Sequence, residues 1–197
     1  MIMNKTFKTF VLVGLFIVNV LTSYAQPFFK KHPQINPYNY QLVKEADFDH
    51  AAVTSAHPLA SMVGAAIMQD GGNAYDAAIA VQFSLAVVHP GAGNIGGGGF
   101  MLSRNVDGKL IGIDFREAAP SKGHRDMYLD ENGNPSNTLS RDGASASGIP
   151  GSVAGMFEVL KYATLPMAKL IQPAIDLAAY GYVITEKEAR GLNATRA

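Results

Sequence analysis

The stretch Ala74–Val88 constrains the fold more than any other part of the chain. Asn73 is a good N-cap for it, and Asp76 places an acid in its first turn. Pro90 stops it. Between those signals the residues are apolar on nearly every face of a helix. A helix with no wet side has to be buried between layers, so the chain must fold into a layered body with this segment inside.

The composition agrees with such a body. Of 197 residues, 48% are hydrophobic and 16% charged, against about 25% charged in a typical soluble chain. That balance excludes disorder, which needs high charge and few apolar residues. Sixteen basic and sixteen acidic side chains leave no net charge, so there is no electrostatic footprint for nucleic acid or anionic lipid. The chain has no cysteine. Disulfides, zinc–thiolate sites, iron–sulfur clusters and a thiol nucleophile are therefore excluded.

Residues 1–25 read as a targeting segment. Lys5 and Lys8 precede an apolar run over residues 9–21, and Ser23-Tyr24-Ala25 closes it with a small-x-small triplet. This is the pattern of a secretory signal peptide cut after Ala25, and the run is shorter than the roughly 20 residues of a membrane span. The expected product is secreted or periplasmic, with no membrane anchor once the leader is removed. Residues 26–50 are polar and punctuated by Pro27, Pro33 and Pro37, and they read as an extended arm.

The body spans residues 51–197. Residues 52–56 are a strand candidate ending at His57-Pro58, and a helix follows from Pro58 to Asp70, stopped by Gly71-Gly72. After the apolar helix, residues 99–104 and 110–115 read as two strands joined through Asp107-Gly108, a hairpin turn signal. A polar loop extends to Ser147. Further helices are expected over residues 153–162, from about Pro166 to Gly181, and from Thr185 onward. The helical pattern is still running at Ala197, so a truncated product is expected.

Two features could carry chemistry. The run Gly91-Ala92-Gly93-Asn94-Ile95-Gly96-Gly97-Gly98-Gly99 contains a formal G-x-G-x-x-G. A dinucleotide site needs a strand before that loop and a helix after it. Here a helix precedes and a strand follows, so the glycines fit the close approach of two backbones, or of a ligand, better than a nucleotide. Arg116 is the second feature, in Asp114-Phe115-Arg116-Glu117-Ala118-Ala119-Pro120. A guanidinium at a strand end beside glycines suits a bidentate carboxylate clamp. It equally suits a solvated arginine paired with Asp114 or Glu117. Thr54-Ser55 near His57 has the look of a nucleophile beside a base, but no third, orienting residue can be picked. His32, His50, His57, His89 and His124 show no metal-ligand spacing. No metal and no cofactor are expected.

Taken in order, Asp70-Gly71-Gly72-Asn73-Ala74-Tyr75-Asp76-Ala77-Ala78, then His89-Pro90 with the glycine run to Phe100, then Asp114 to Pro120 resemble the large-subunit region of γ-glutamyltranspeptidases. Asp126-Met127-Tyr128 and the segment from Ser147 to Gly155 continue the resemblance. It implies an α/β (α+β) fold, part of the four-layer αββα sandwich of N-terminal-nucleophile hydrolases, incomplete in this chain. Such enzymes are precursors that cut themselves into a large and a small subunit. The new N-terminal threonine of the small subunit attacks the γ-glutamyl amide of glutathione, with its own amine as base. Water or an acceptor amino acid or peptide then takes the γ-glutamyl group.

The resemblance assigns Arg116 the α-carboxylate of the γ-glutamyl group. It places the catalytic threonine, and the small-subunit partner that carries it, outside these 197 residues. The chain is thus expected to be a precursor fragment, inactive alone and short of partner surfaces for its apolar helix. A related acylase or poly-γ-glutamate-processing enzyme of the same fold, or a non-catalytic secreted binding module, are the alternatives.

Overall fold

The computed structural model describes residues 28–43, 45, 47–93 and 95–194. The expected leader and its cleavage point at Ala25 lie outside the described residues. The helices in chain order are α1 (Phe28–Lys31), α2 (Pro58–Gln69), α3 (Ala74–Val88), α4 (Asn137–Arg141), α5 (Ser152–Val159), α6 (Met167–Tyr180) and α7 (Glu186–Ala194). Strands β1 (Phe100–Arg104) and β2 (Leu110–Asp114) follow α3, and short 3-10 turns occupy Ala144–Ala146 and Leu160–Tyr162.

The apolar helix α3 packs against both α2 and α6. Leu59, Val63 and Ile67 of α2 recur at helical spacing, as do Ile79, Ala80 and Phe83 of α3 and Leu170, Ala174 and Leu177 of α6, and all are buried. Met156 and Val159 of α5 join the same cluster. Where α2 crosses α3, a Cβ on Gly64 would stand 2.6 Å from the Val81 side chain, so a glycine is what allows the approach. Within the described residues α3 is thus flanked chiefly by helices. Its Ala74 and Ala78 stay exposed.

Local signals set the helix ends. Pro58 opens α2, and the His57 ring accepts the Leu59 N–H. The Asn73 side chain accepts from Tyr75 and Asp76, while the Asp76 carboxylate accepts the Asn73 N–H at 2.7 Å, a complete capping box. Asp76 also reaches far along the chain. Its carboxylate accepts from Thr164 N at 3.0 Å, Thr164 Oγ1 at 2.8 Å and Leu165 N at 2.8 Å, and the residue is fully buried. Burial pushes this carboxyl up, but the hydrogen bonds from Asn73, Thr164 and Leu165 outweigh it and hold the group below the usual carboxylate value.

β1 and β2 pair antiparallel, Phe100 opposite Asp114 and Arg104 opposite Leu110. Gly108, at φ +84°, supplies the turn. Met101 and Ile113 on the inner face pack on the helical core. The outer face shows Phe100, Leu102 and Leu110, which are 65%, 90% and 75% exposed. A helical layer against one face of an apolar hairpin is an incomplete form of the expected layered architecture.

Three expectations change. Residues 52–56 alternate in exposure but form no strand, because a strand needs a hydrogen-bonded neighbour and none of the described segments pairs with them. The arm over 26–50 is not extended throughout. At Phe28 the chain makes the helical turn α1, because the Phe28 N–H donates to the Asp176 carboxylate and the buried Phe28 ring packs on His32, 4.4 Å between centroids. Further along the arm, the Tyr38 and Tyr40 hydroxyls donate to the carbonyls of Tyr180 and Val183, each at 2.7 Å. Finally, α4 interrupts the loop after β2, its first turn closed by Ser136 Oγ accepting the Leu139 N–H.

Candidate anion-binding site at the end of β2

The β1–β2 ladder continues past the strands. The Phe115 N–H donates to Gly99 O at 3.0 Å and the Gly99 N–H to Phe115 O at 3.3 Å. On its other side the chain is held by Ala118, whose N–H donates to Ile149 O at 3.1 Å and whose carbonyl accepts the Ile149 N–H at 2.9 Å. The Gly97 carbonyl accepts from both Gly151 N and Ser152 N, at 2.9 and 3.0 Å, at the start of α5. Residues 115–118 are therefore clamped between the glycine run and the segment entering α5.

Missing side chains make this possible. A Cβ on Gly98 would lie 2.6 Å from Phe115 O, and one on Gly151 only 2.0 Å from the same oxygen. The Phe115 ring fills the space beside Gly155, where a Cβ would come within 2.4 Å of the ring. The close-approach reading of the glycine run holds at Gly98 and Gly99. The partner glycines at 148, 151 and 155 were not singled out in the sequence, because nothing local in Ser147 to Gly155 says that β2 lies on it.

Arg116 emerges from this clamp. Its own N–H donates to Asp114 Oδ1 at 3.0 Å, and its Nε donates to Glu117 Oε2 at 2.9 Å. Its guanidinium carbon stands 5.8 Å from the centre of the Phe100 ring. The side chain is 62% exposed. Bonds to the Glu117 carboxylate, from its own backbone N–H first and then from Arg116, hold that group below the usual range. The two sequence readings of Arg116 thus coexist. It is paired with Glu117 through Nε, and neither Nη takes part in the contacts just described. Those two nitrogens form the edge that a carboxylate takes bidentately.

The other candidates separate. Ser55 Oγ donates to the His57 carbonyl at 2.9 Å and meets Ser61 Oγ at 2.8 Å; it does not meet the imidazole. His57 Nδ1 accepts the Leu59 N–H at 3.2 Å, which leaves the proton on Nε2, facing Tyr40 Oη at 3.3 Å and Glu188 Oε1 at 3.4 Å. Burial lowers the His57 pKa, against a smaller raising effect of Glu188. No nucleophile–base pair results. Thr164 and Thr185 are also engaged in structure, Thr164 on Asp76 and Thr185 Oγ1 accepting the Glu188 N–H at 3.3 Å. The formal G-x-G-x-x-G joins α3 to β1, the order opposite to a dinucleotide site.

A helical layer on a glycine-clamped strand end, with a half-free guanidinium at its tip, is part of an N-terminal-nucleophile hydrolase fold, and known proteins carry it. The solved structure of Helicobacter pylori gamma-glutamyltranspeptidase matches with a TM-score of 0.73 and 48% identity, over 76% of this chain and 43% of that one. The family model described as Gamma-glutamyltranspeptidase covers residues 60–197. The chain belongs to the γ-glutamyltranspeptidase family. The glutathione hydrolase proenzyme of Escherichia coli (strain K12) is 50% identical over 141 residues, 71% of this chain and 24% of the relative. The acylase ACY 1 proenzyme of Pseudomonas sp. (strain V22) is 43% identical over 149 residues, 72% of this chain and 27% of the relative. The chain spans about a quarter of the length of these curated relatives.

Proposed function

We propose that this chain carries the large-subunit region of a secreted or periplasmic γ-glutamyltranspeptidase precursor. The mature enzyme cleaves the γ-glutamyl amide of glutathione and related compounds. It passes the γ-glutamyl group to water or to an acceptor amino acid or peptide. Arg116 binds the α-carboxylate of the γ-glutamyl group, and a threonine on the small subunit of the same precursor supplies the nucleophile. The observation that carries this reading is the mounting of Arg116. Its backbone is fixed on both sides by ladder bonds, its Nε is held by Glu117, and its Nη edge points away from that bond. A preset guanidinium gives up little freedom on binding a planar carboxylate. Export rests on the leader pattern of residues 1–25.

In the full-length precursor, Arg116→Ala should raise KM for glutathione about 100-fold, roughly 2.8 kcal/mol at 1.4 kcal/mol per tenfold. Self-cleavage should be intact, since the clamp around residues 115–118 is built from backbone. A normal KM in that variant would remove the assignment. The acylase relative favours a second reading, in which the same arginine holds the carboxylate of a different acyl group. Steady-state rates on glutathione and on acylase substrates, side by side, separate the two.

A further inference from the structure

We infer that Phe100 is a positioning residue for the substrate carboxylate, holding the Arg116 guanidinium by a cation–π contact where its Nη edge can receive it. The inference rests on the proposed role of Arg116 and names the residue that presets its geometry. It begins in the register of the hairpin. Phe100 pairs with Asp114, and the next ladder pair is Gly99 with Phe115. Arg116 is therefore two residues beyond the partner of Phe100 on the same outward face, the diagonal position from which a long side chain reaches back across the sheet. The 5.8 Å from Cζ to the ring centre is within the range of a cation–π contact.

The alternation of the strand sets which way this phenylalanine faces. Met101 and Ile113 face the helices, and Phe100 faces outward, 65% exposed. On that face the ring lies beside the Arg116 guanidinium. Gly98, opposite Arg116, has no side chain to compete for the same space, and a Cβ there would strike Phe115 O.

The guanidinium has two neighbours of different kinds. Glu117 accepts from Nε at 2.9 Å, and the Phe100 ring centre lies 5.8 Å from Cζ. An arginine with one contact still swings about the Nε bond. A second contact narrows that swing. Phe100 acts through Arg116, so its effect is on binding and not on the chemical step.

The test uses the full-length precursor after self-cleavage. Phe100→Leu should raise KM for glutathione about fivefold, about 1 kcal/mol at 1.4 kcal/mol per tenfold, with kcat unchanged. Phe100→Tyr, which keeps the ring face, should restore KM to within twofold of the native value. Completed self-cleavage in both variants reports that they fold. A native KM in Phe100→Leu, with KM raised in Arg116→Ala, would overturn the platform and leave the arginine assignment standing. A native KM in both would overturn the arginine assignment itself. An equal rise in Phe100→Leu and Phe100→Tyr, or a fall in kcat alone, would also overturn the platform.

Discussion

In the helical layer, position is fixed by what side chains fill; at the strand end that carries Arg116, it is fixed by what side chains leave out. Ile79, Phe83, Leu170 and Leu177 interlock at helical spacing, and the buried carboxylate of Asp76 ties α3 to residues 164 and 165. Around Arg116 the order is reversed. Gly98 and Gly151 let backbone lie on backbone, and the one large ring in the clamp, Phe115, sits where Gly99 and Gly155 have no Cβ. The difference teaches where function can be placed. A region held by side-chain volume has none to spare, whereas a region held by backbone bonds leaves its side chains free to meet a ligand.

That contrast can be broken most severely at Asp76. Asp76→Ala leaves the N–H groups of Asn73, Thr164 and Leu165 without their acceptor in a buried site. It should cost about 4 kcal/mol of stability, read as a fall in the urea midpoint. A loss under about 1 kcal/mol would mean that the helical layer does not depend on this carboxylate.

The strand end should be sensitive to the opposite change, an added atom. Gly151→Ala drives a methyl group into the Phe115 carbonyl, and overpacking of this kind costs about 2 kcal/mol. Because the displaced backbone carries Arg116, KM for the γ-glutamyl substrate should rise in the same variant. If stability falls and KM does not, the clamp is not what sets the arginine.

The smallest effect sharpens the boundary between arm and helices. Buried His57 has its pKa lowered from the ordinary 6.5, burial being the main cause, opposed by Glu188 and aided by His89. The unfolded chain therefore binds a proton more readily than the folded one. The contribution of neutral His57 is fully present above pH 6.5 and is lost as pH falls below it. The carboxyls held low, Asp70, Asp76 and Asp130 from an ordinary 3.8 and Glu117 and Glu188 from 4.5, lose their contributions at lower pH. Between pH 7.5 and 5.5 the urea midpoint should fall in the native chain. It should fall less in His57→Asn, which keeps an N-cap without the titration. Equal slopes would show that Tyr40 and Glu188 already neutralise the cost.

The same contrast explains what the sequence made legible. Helices with their own caps, Asn73 and Asp76 for α3 and Gly181 closing α6, stand where their patterns put them, as does the turn at Gly108. Family membership followed from ordered motifs. Residues 52–56 carry a strand pattern without a strand, because pairing is a property of two segments and the pattern shows one. The turn at Phe28 depends on Asp176, 148 residues away, and Asp76 on Thr164, 88 residues away. Neither distance has a local signal. At the site, Arg116 and the glycine run were legible, one by its charge at a strand end and the other by its density. The partner glycines Gly151 and Gly155 and the ring of Phe100 were not, since what matters about them is which backbone or cation lies opposite.

The role proposed for Arg116 is recognition of the α-carboxylate of a γ-glutamyl substrate. It is tested most directly by comparing glutathione with its analogue lacking that carboxylate, in the native full-length enzyme and in Arg116→Ala. The native enzyme should prefer glutathione by about 100-fold in kcat/KM, and Arg116→Ala should treat the two alike. A preference that survives the substitution undiminished would contradict it.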